Sequence, residues 1–278
     1  MTGNAQIATQ DFRSVCRQWR RYRKLSQLEL ALAANVSQRH VSWLETGRSK
    51  PSREMVVRLS EALDIPLRDR NVLLRAAGFA PAYSESQLDA PAMAPVLEAL
   101  QHVLRHHEPF PAVVVDRFWN VRMKNAAMDF LFGLVGDPQA LLEAVGDDGN
   151  MNLALLSLHP KGLRRYIANF DRAAAMFVNR LKREAVASGD AELQRRFAEI
   201  IALADGLECG DYPGPEVLPV LPLELAVGGA RLSVFSVIST FGTPQDITAD
   251  ELRIEAFYPA DEASARVFRE RDVPAAGA

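Results

Sequence analysis

Residues 26–51 read SQLELALAANVSQRHVSWLETGRSKP, and this stretch decides the fold of the N-terminal part of the chain. Ser26 and Glu29 have the spacing of a capping box, which predicts a helix from Gln27 to about Ala34. Asn35 then suits a tight corner between two helices, because Asn tolerates the left-handed backbone conformation. The pattern predicts one short helix that ends in a sharp turn.

A second helix is predicted directly after that turn. Ser37 can cap a helix from Gln38 to about Glu45, because its hydroxyl can accept a hydrogen bond from a free backbone N–H group. The apolar residues of both segments recur at helical spacing, and small alanines among them allow the two helices to cross closely. These residues are Leu30, Ala31, Ala34, Val36, Val41 and Leu44. The layout is that of a helix-turn-helix.

Polar side chains are left on the solvent side of the second helix and in the loop after it. Gln and Arg can pair with base edges in the major groove of DNA, and Ser can reach a base or a phosphate. Cations in the following loop contact phosphates and set the register of binding, and a Gln at a helix N-terminus can donate to a phosphate. The predicted DNA-binding residues are Gln27, Ser37, Gln38, Arg39, His40, Ser42, Trp43, Arg48 and Lys50.

An ordinary helical hairpin is the alternative interpretation of the apolar spacing alone. The two caps, the turn Asn, the small residues and the basic loop together favour DNA binding. The segment also resembles the five-helix DNA-binding domains of the Cro/lambda-repressor type (XRE family). The resemblance covers about Asp11 to Phe79. It implies a first helix at Arg13 to Lys24, a fourth at Ser52 to Leu63 and a fifth at Pro66 to Ala77.

Charge divides the chain into two parts. Residues 1–80 contain 14 Lys and Arg against 7 Asp and Glu, whereas residues 81–278 contain 18 against 28. A basic N-terminal part suits binding to nucleic acid, and an acidic remainder suits a different role. The run Arg20, Arg21, Arg23 and Lys24 either contacts phosphate or is only a solvated helix face.

Length and composition set further bounds. With 278 residues and 48% hydrophobic content, the chain can bury one small and one medium core. Residues 1–10 are polar, and no later stretch approaches the roughly 18 uninterrupted apolar residues of a membrane span. We therefore expect a cytoplasmic protein without a signal peptide. Cys16 and Cys209 lie far apart in sequence and are expected to be reduced structural thiols.

The domain boundaries follow from composition. Gly78 can end the fifth helix, and the segment FAPAYSESQLDAPAMA at 79–94 is rich in Pro, Ala and Ser without periodicity. We predict a DNA-binding domain at 1–79, a linker at 80–94, a second domain at 95–272 and a flexible tail at 273–278.

The second domain alternates helices and strands. Apolar periodicity predicts helices at Pro95–His107, Asn125–Phe132, Leu153–Ser157, Leu163–Ser188 and Ala191–Ala204. β-Branched and aromatic runs predict strands at Ala112–Asp116, Phe118–Met123, Leu221–Val227, Arg231–Phe241 and Leu252–Phe257. Gly228 and Gly229 suit a hairpin turn. We expect a small antiparallel sheet with helices on one side.

This domain carries a second resemblance. FPAVVVDRFWNVRMKNAAMDFLFG at 110–133 looks like the opening of a PAS-type sensor domain, with Asp116, Trp119, Asn125, Leu131, Phe132 and Gly133 in the usual places. FGTPQDITADEL at 241–252 and RIEAFYPAD at 253–261 resemble the MmyB-like regulators. So do the shorter matches His159, Pro160, Gly162, Leu163 and Arg164, and then Ile167, Ala168, Asn169 and Phe170. The family pairs an XRE-type helix-turn-helix with a PAS-like ligand-binding domain. The fold class is therefore expected to be α plus α+β.

The resemblance implies a transcription regulator that senses a small, largely apolar molecule, with long-chain fatty acids as the associated class. Such a molecule would bind non-covalently, and no other cofactor is expected. A sheet flanked by helices can leave an apolar cavity between its layers. The predicted lining residues are Phe130, Phe132, Phe170, Phe177, Phe235 and Phe257, with Arg253, Arg231 and His159 as candidate anchors for a carboxylate. Ordinary core packing is the alternative for each aromatic residue.

The sequence contains little that indicates a metal site or an enzyme active site. His102 and His106 have the i, i+4 spacing of zinc ligands, but no third ligand is obvious, so we predict no metal site. Nucleophile-elbow, phosphate-loop and dinucleotide patterns do not occur, and neither cysteine is placed for a flavin adduct. We expect a regulator rather than an enzyme.

A homodimer on a two-fold DNA operator is the expected assembly, because one helix-turn-helix makes few contacts. The alternative is that the second domain is a protein-interaction or dimerisation module without a small-molecule ligand.

Overall fold

The computed structural model describes residues 11–146, 150–204, 220–227 and 229–271. Two compact units divide the chain: unit 1 contains Met1–Ser86 and Pro244–Asp250, and unit 2 contains Gln87–Thr243 and Glu251–Ala278, so far as these residues are described. The division between Ser86 and Gln87 falls within the predicted linker at 80–94. Cys209, Gly228 and the predicted tail lie outside the described residues.

Unit 1 contains the predicted helices, each within a few residues of its expected bounds. Ser26, Ser37 and Ser52 cap the second, third and fourth helices through their side chains, as short polar residues do at helix N-termini. The helices are α1 Phe12–Tyr22, α2 Gln27–Ala33, α3 Gln38–Thr46, α4 Arg53–Ala62 and α5 Leu67–Ala76.

The core of unit 1 is formed by the predicted apolar positions. Leu30, Ala31, Ala34, Val41 and Leu44 are buried together with residues of α1, α4 and α5. Val36 is half-buried and packs against the same cluster, and Cys16 is buried within it. Because these residues recur at helical spacing, burying them fixes which faces of α2 and α3 remain exposed.

Unit 2 contains more helices than the sequence predicts. Pro138–Val145 and Glu262–Arg269 are helices that the predicted pattern lacked, and both are short and capped by an Asp side chain. The α-helices from residue 94 onward are α6 Ala94–His106, α7 Ala126–Leu134, α8 Pro138–Val145, α9 Leu153–Leu158, α10 Phe170–Ser188, α11 Ala191–Ala202, α12 Ile247–Glu251 and α13 Glu262–Arg269, with 3-10 turns at Pro91–Met93 and Leu163–Tyr166. Of these, α12 belongs to unit 1 except for Glu251.

The predicted long helix Leu163–Ser188 was wrong at its start. A 3-10 turn ends at Tyr166, and α10 begins only at Phe170. The residues between them extend along a strand: Ala168 N donates to Glu224 O at 2.7 Å, and Asn169 Oδ1 accepts from Glu224 N at 3.0 Å. Pairing with a distant strand thus overrides the local helical pattern.

Within the described residues, the strands are β1 Ala112–Val115, β2 Val121–Lys124, β3 Leu223–Val227, β4 Ala230–Ser239 and β5 Arg253–Pro259. These five strands form one antiparallel sheet in the order β2-β1-β5-β4-β3. The predicted strand Phe118–Met123 starts late, because Trp119 has φ 68° and Asp116 Oδ1 accepts from Phe118 N at 2.8 Å in a tight turn. The predicted fold class is confirmed.

Alternation along the strands defines two faces of this sheet. The inner face carries Val113 and Val115 of β1 and Val234 of β4, which cluster with residues of α7 and α10. The outer face carries the alternate positions, such as Val114. All four residues of β1 are fully buried, so this strand is covered on both faces and not on one side as expected.

None of the helices within the described ranges is both long and apolar enough to cross a membrane.

Candidate DNA-binding surface and candidate ligand site

The turn between α2 and α3 is formed by the predicted residues. Ser26 Oγ accepts from Glu29 N at 3.1 Å, while Glu29 Oε2 accepts from Ser26 N at 2.7 Å, which completes the capping box. Asn35 has φ 51°, the left-handed conformation that the corner requires. Ser37 Oγ accepts from His40 N at 3.1 Å. These local bonds set the direction in which α3 leaves the turn.

α3 presents the predicted base-reading side chains. Gln38 and Arg39 are exposed, and His40, Ser42 and Trp43 are half-buried. The Arg39 guanidinium carbon lies 4.4 Å from the centroid of the Trp43 ring, one helical turn away. Stacking holds the long Arg39 side chain in one direction, which lowers the entropy lost when it pairs with a base.

Two other predicted contacts have partners within the protein. Gln27 Nε2 donates to Glu45 Oε2 at 2.9 Å, and the Ser37 hydroxyl is occupied as the helix cap. Gln27 therefore joins the start of α2 to the end of α3. The free N–H groups at these helix starts are still suited to phosphate binding.

The loop after α3 places the two predicted phosphate-binding cations. Gly47 ends the helix with φ 78°, a left-handed conformation that Gly adopts without strain. Arg48 N then donates to Trp43 O at 2.9 Å, so the loop folds back on the last helical turn. The Arg48 and Lys50 side chains are exposed beside α3.

A charged pair that the sequence patterns did not predict lies beneath this surface. Glu45 is 2% exposed, and its two carboxylate oxygens accept from Arg20 Nε at 2.6 Å and Arg20 Nη2 at 2.9 Å. Burial alone would raise the pKa of Glu45, but hydrogen bonds from Arg20 and Gln27 outweigh it and lower the pKa. A Glu that follows buried Leu44 was the available signal. The pair fixes α3 against α1.

Unit 2 contains a second charged cluster at the inner face, on α10 and β5. Glu184 of α10 accepts from Trp119 Nε1 at 3.0 Å and from Arg180 Nε at 2.9 Å. Arg253 Nη1 of β5 lies 2.7 Å from Glu184 Oε2. Burial alone would raise the pKa of Glu184, but the two arginines and Trp119 together lower it. The cluster joins a helix to the strand beneath it.

Glu255 is the second acidic residue of this region. It is buried on the inner face of β5, two residues from Arg253, and burial raises the pKa of its carboxyl despite a hydrogen bond to Ser236 and the nearby Arg180. Strand alternation, which places residues 253, 255 and 257 on one face, was the signal that could have identified it.

Some predicted ligand residues meet near this cluster. Phe177 lies edge-on to Trp119, with ring centroids 4.8 Å apart, and Phe257 is half-buried on the inner face of β5. Phe170 is one of the half-buried residues around the same core, and the Arg164 guanidinium lies 4.4 Å from its ring centroid. Phe177 therefore lies beside the Glu184 cluster, and Phe170 and Phe257 pack against the same hydrophobic core.

Other predicted ligand residues lie elsewhere. Phe235 and Arg231 occupy alternate positions of β4, on the outer face, so they cannot line the same space as Phe257. Phe130 packs edge-on to Phe268, and Phe132 is 3% exposed in the core.

His159 has a local role in the structure. Its Nδ1 accepts a hydrogen bond from Lys161 N at 3.1 Å, and burial together with the Lys161 charge lowers the pKa of the imidazole. That pKa shift favours the neutral ring, which makes His159 a weak anchor for an anion.

The outer face bears a groove of about 370 Å³. Phe235 and Tyr258 stack in its wall, with ring centroids 5.6 Å apart. Arg269 also lines the groove and forms an ion pair with Glu262 at 2.7 Å. This groove is separate from the inner-face cluster.

The two histidines with zinc spacing make a local contact instead, because His106 Nδ1 lies 2.7 Å from the carbonyl oxygen of His102. Across the described residues, no group of three or more His, Cys, Asp or Glu side chains is arranged to hold a metal ion.

Two family models match separate parts of the chain. A family model described as MmyB-like transcription regulator ligand binding domain matches residues 96–270, and one described as Helix-turn-helix matches residues 17–69. Among solved structures, the chain is similar to one titled "Structure of an RNA-binding Light-Oxygen-Voltage Receptor", with 13% identity and a TM-score of 0.24 over 97% of this chain and 67% of that one. No curated protein matches the chain.

Proposed function

The chain belongs to the MmyB-like transcription regulators, and on this premise we propose that it binds a DNA operator as a homodimer and that unit 2 senses a long-chain fatty acid or a similar acyl molecule. The helix-turn-helix and the ligand-binding domain make it a transcription regulator. The operator, the assembly and the identity of the ligand are the proposed parts.

One observation carries the proposal of an acyl ligand: the inner face of the sheet is open at Ser236. Leu232 and Val234 are buried on this face of β4, but Ser236, the next residue on the same face, is exposed. Phe257, its partner on β5, is only half-buried. An acyl chain entering there would bury apolar surface, which contributes about 25 cal/mol for each Å² removed from water.

The cluster around Glu184 supports a ligand with an acidic head group. A fatty acid carboxylate can compete with Glu184 for Arg253, because charge-assisted bonds to a guanidinium are the strongest type available at this face. Displacement of Glu184 would also break its bond from Trp119. Ligand binding would therefore change the surroundings of one indole ring.

The DNA-binding surface supports a dimer. The exposed part of α3 is short, and Gln38 and Arg39 are the exposed polar residues at its N-terminal end. Two such helices, placed on successive half-sites about 34 Å apart, would supply the affinity that one lacks. Sedimentation velocity of the purified chain, together with selection of bound genomic fragments, tests this. A monomer that enriches only sites without two-fold symmetry would overturn it.

Analysis of co-purified molecules tests the ligand directly. Protein that has met no added lipid is unfolded, and the released small molecules are identified by mass spectrometry. We expect an acyl species at near-equal molar amount. Hexadecanoate should then raise the melting temperature of the protein more than hexadecan-1-ol does, because only the acid can pair with Arg253.

Arg253→Met should abolish the preference for the acid. Arg231→Met is the matched control, because Arg231 is an exposed cation on the opposite face of the same sheet. A preference for hexadecanoate that persists in Arg253→Met would exclude Arg253 as the anchor.

A protein-interaction role for unit 2 is the second candidate. Val237 is 45% exposed and Tyr258 is 37% exposed on the outer face, which leaves apolar surface uncovered. If no acyl species is recovered and neither compound changes the melting temperature, this candidate replaces the sensor.

A further inference from the structure

The segment Pro244–Asp250, called the strap here, connects β4 to β5 in the sequence. Both strands are in unit 2, but the strap belongs to unit 1. β4 ends at Ser239 and β5 begins at Arg253, and Ser239 is paired with Ile254 in the sheet. The chain therefore leaves the sheet after β4, joins unit 1, and returns to begin β5. Chain connectivity alone gives unit 1 a direct link to the sheet.

Asp246 binds residues 84–86, the last residues of unit 1 before unit 2 begins. Its carboxylate accepts from Ser84 Oγ at 2.7 Å and from Ser86 N at 3.1 Å. Ile247 N donates to Ser84 O at 2.8 Å, and Thr248 Oγ1 donates to Ser86 O at 2.6 Å. Ordered pairing of this kind explains why the linker residues up to 86 belong to unit 1.

Asp250 supplies a helix cap from a distant part of the chain. Pro66 stands at the N-cap of α5 and makes no side-chain cap bond there. Asp250 Oδ2 accepts from Leu67 N at 3.1 Å instead, and its charge faces the positive end of the helix dipole. Ile247 and Ala249 of the strap are buried beside these bonds.

The connection from Asp250 to β5 is short. Two residues separate Asp250 from Arg253, so the connection spans at most about 10 Å. Glu251 is bound to Arg117 at 3.2 Å, and Leu252 is buried. A hydrogen bond weakens quickly beyond about 3.2 Å, so the cap at Leu67 is sensitive to small displacements of Asp250.

We propose that the strap couples the β4–β5 strand pair to the first turn of α5 and to residues 84–86. Displacement of Arg253 would then weaken the hydrogen bonds that the strap makes to α5 and to residues 84–86 in the DNA-binding unit. The inference that a ligand acts through this coupling rests on the proposed function, because the ligand would bind at Arg253. The mechanical coupling itself is independent of ligand identity.

Hydrogen exchange of the full-length chain, read by mass spectrometry, tests the cap. Asp250→Ala should speed exchange of the amides at 67–70 about fivefold, the size expected for loss of a helix cap. Asp250→Asn keeps an acceptor oxygen and should restore most of the protection. Asp261→Ala is the matched control, because Asp261 caps α13 in unit 2. Exchange at 67–70 that is unchanged in Asp250→Ala would overturn the proposal.

A test of the coupling requires substitutions in unit 2 and a measurement in unit 1. Arg253→Met and, as a milder second variant, Glu184→Gln should each speed exchange at 67–70 and at 84–86, whereas Arg231→Met should not. In the double variant Asp250→Ala/Arg253→Met, the Arg253 substitution should have no further effect on α5, because the link is already broken. If both perturbations leave exchange in unit 1 at the wild-type level while Asp250→Ala raises it, the strap is a structural cap only and the coupling is refuted.

Addition of hexadecanoate distinguishes failure of the two proposals. A melting shift together with altered exchange at 67–70 supports both. A melting shift without that altered exchange overturns the coupling. The absence of any melting shift, with the response to Arg253→Met intact, rejects the proposed ligand and supports the coupling.

Discussion

The guanidinium carbon of Arg39 lies 4.4 Å from the centroid of the Trp43 ring on the exposed side of α3. This stacking aims Arg39 away from the core, where it can form a bidentate pair with a guanine. Arg39→Ala should weaken specific DNA binding by about 1 to 3 kcal/mol and spare non-specific binding. Titration of operator and random duplexes measures this, and an unchanged specificity ratio would exclude base reading by Arg39.

Lys50 provides the matched comparison. It lies in the loop after α3, where a cation contacts phosphate without reading sequence. Lys50→Ala should weaken binding to all duplexes similarly and reduce the slope of log K against log salt by about 1. A change in sequence preference in this variant would contradict the assignment.

The Arg20–Glu45 pair should control the stability of unit 1. The Arg20 side chain is 13% exposed and that of Glu45 is 2% exposed, so removal of one partner leaves a charge that is nearly cut off from water. Glu45→Ala should cost about 3 to 5 kcal/mol in the free energy of unfolding. Arg195→Ala is the control, since both side chains of the exposed Arg195–Glu199 pair face solvent and about 0.5 kcal/mol is expected.

The pH dependence of this pair has a definite sign. The pKa of Glu45 is lowered in the folded state, so the unfolded chain binds the proton more readily. The stability that the pair contributes is fully present above the ordinary value of 4.5 and is lost as the pH falls through the folded pKa. Glu45→Gln should flatten this acid limb in a series of unfolding curves of unit 1, and a limb of unchanged steepness would contradict the role of Glu45.

Glu255 should give unit 2 the opposite dependence. Burial raises the pKa of this carboxyl, so the folded chain binds the proton more readily and its stability falls as the pH rises above 4.5. Glu255→Gln should therefore stabilise unit 2 at pH 7 and reduce that fall. Glu224→Gln on β3 is the control, because Glu224 is exposed. Unfolding followed through Trp119 fluorescence, with Trp19 and Trp43 replaced by Phe, would report on unit 2. A Glu255→Gln variant that is less stable at pH 7 would show that the charged form is required.

Asn125 should be essential to the packing of β1. Its Oδ1 accepts from Ala112 N at 2.9 Å and Met128 N at 3.0 Å, and its Nδ2 donates to Phe110 O at 2.8 Å. Asn125→Ala leaves these buried groups unpaired and should cost about 2 to 4 kcal/mol. The exposed Asn179 is the control, and Asn179→Ala should change the melting temperature little. Similar melting temperatures for the two variants would contradict this role.

Short-range signals were sufficient for much of the fold. The capping box at Ser26 and Glu29, the left-handed Asn35 and the cap at Ser37 are each decided within four residues, and the structure has all three. The strands were predicted for the same reason, because β-branched residues favour extended backbone wherever the strand packs.

The sites depended on contacts between residues that are far apart in the sequence. Alternation along β5 could have shown that Arg253 and Glu255 share a face, but not that Glu184 lies opposite them. The predicted helix from Leu163 was interrupted because residues 168–169 pair with β3, which periodicity within the helix cannot show.

The sequence by itself determined a helix-turn-helix followed by a domain of antiparallel strands and helices, because caps, turns and periodic apolar faces are local properties. Only the tertiary structure decided that Asp250 caps α5, that Glu184 pairs with Arg253, and that Phe235 lies on the outer face away from Phe257. Bonds between residues far apart along the chain leave no periodic trace in the sequence, since they form only when the packed core brings their elements together.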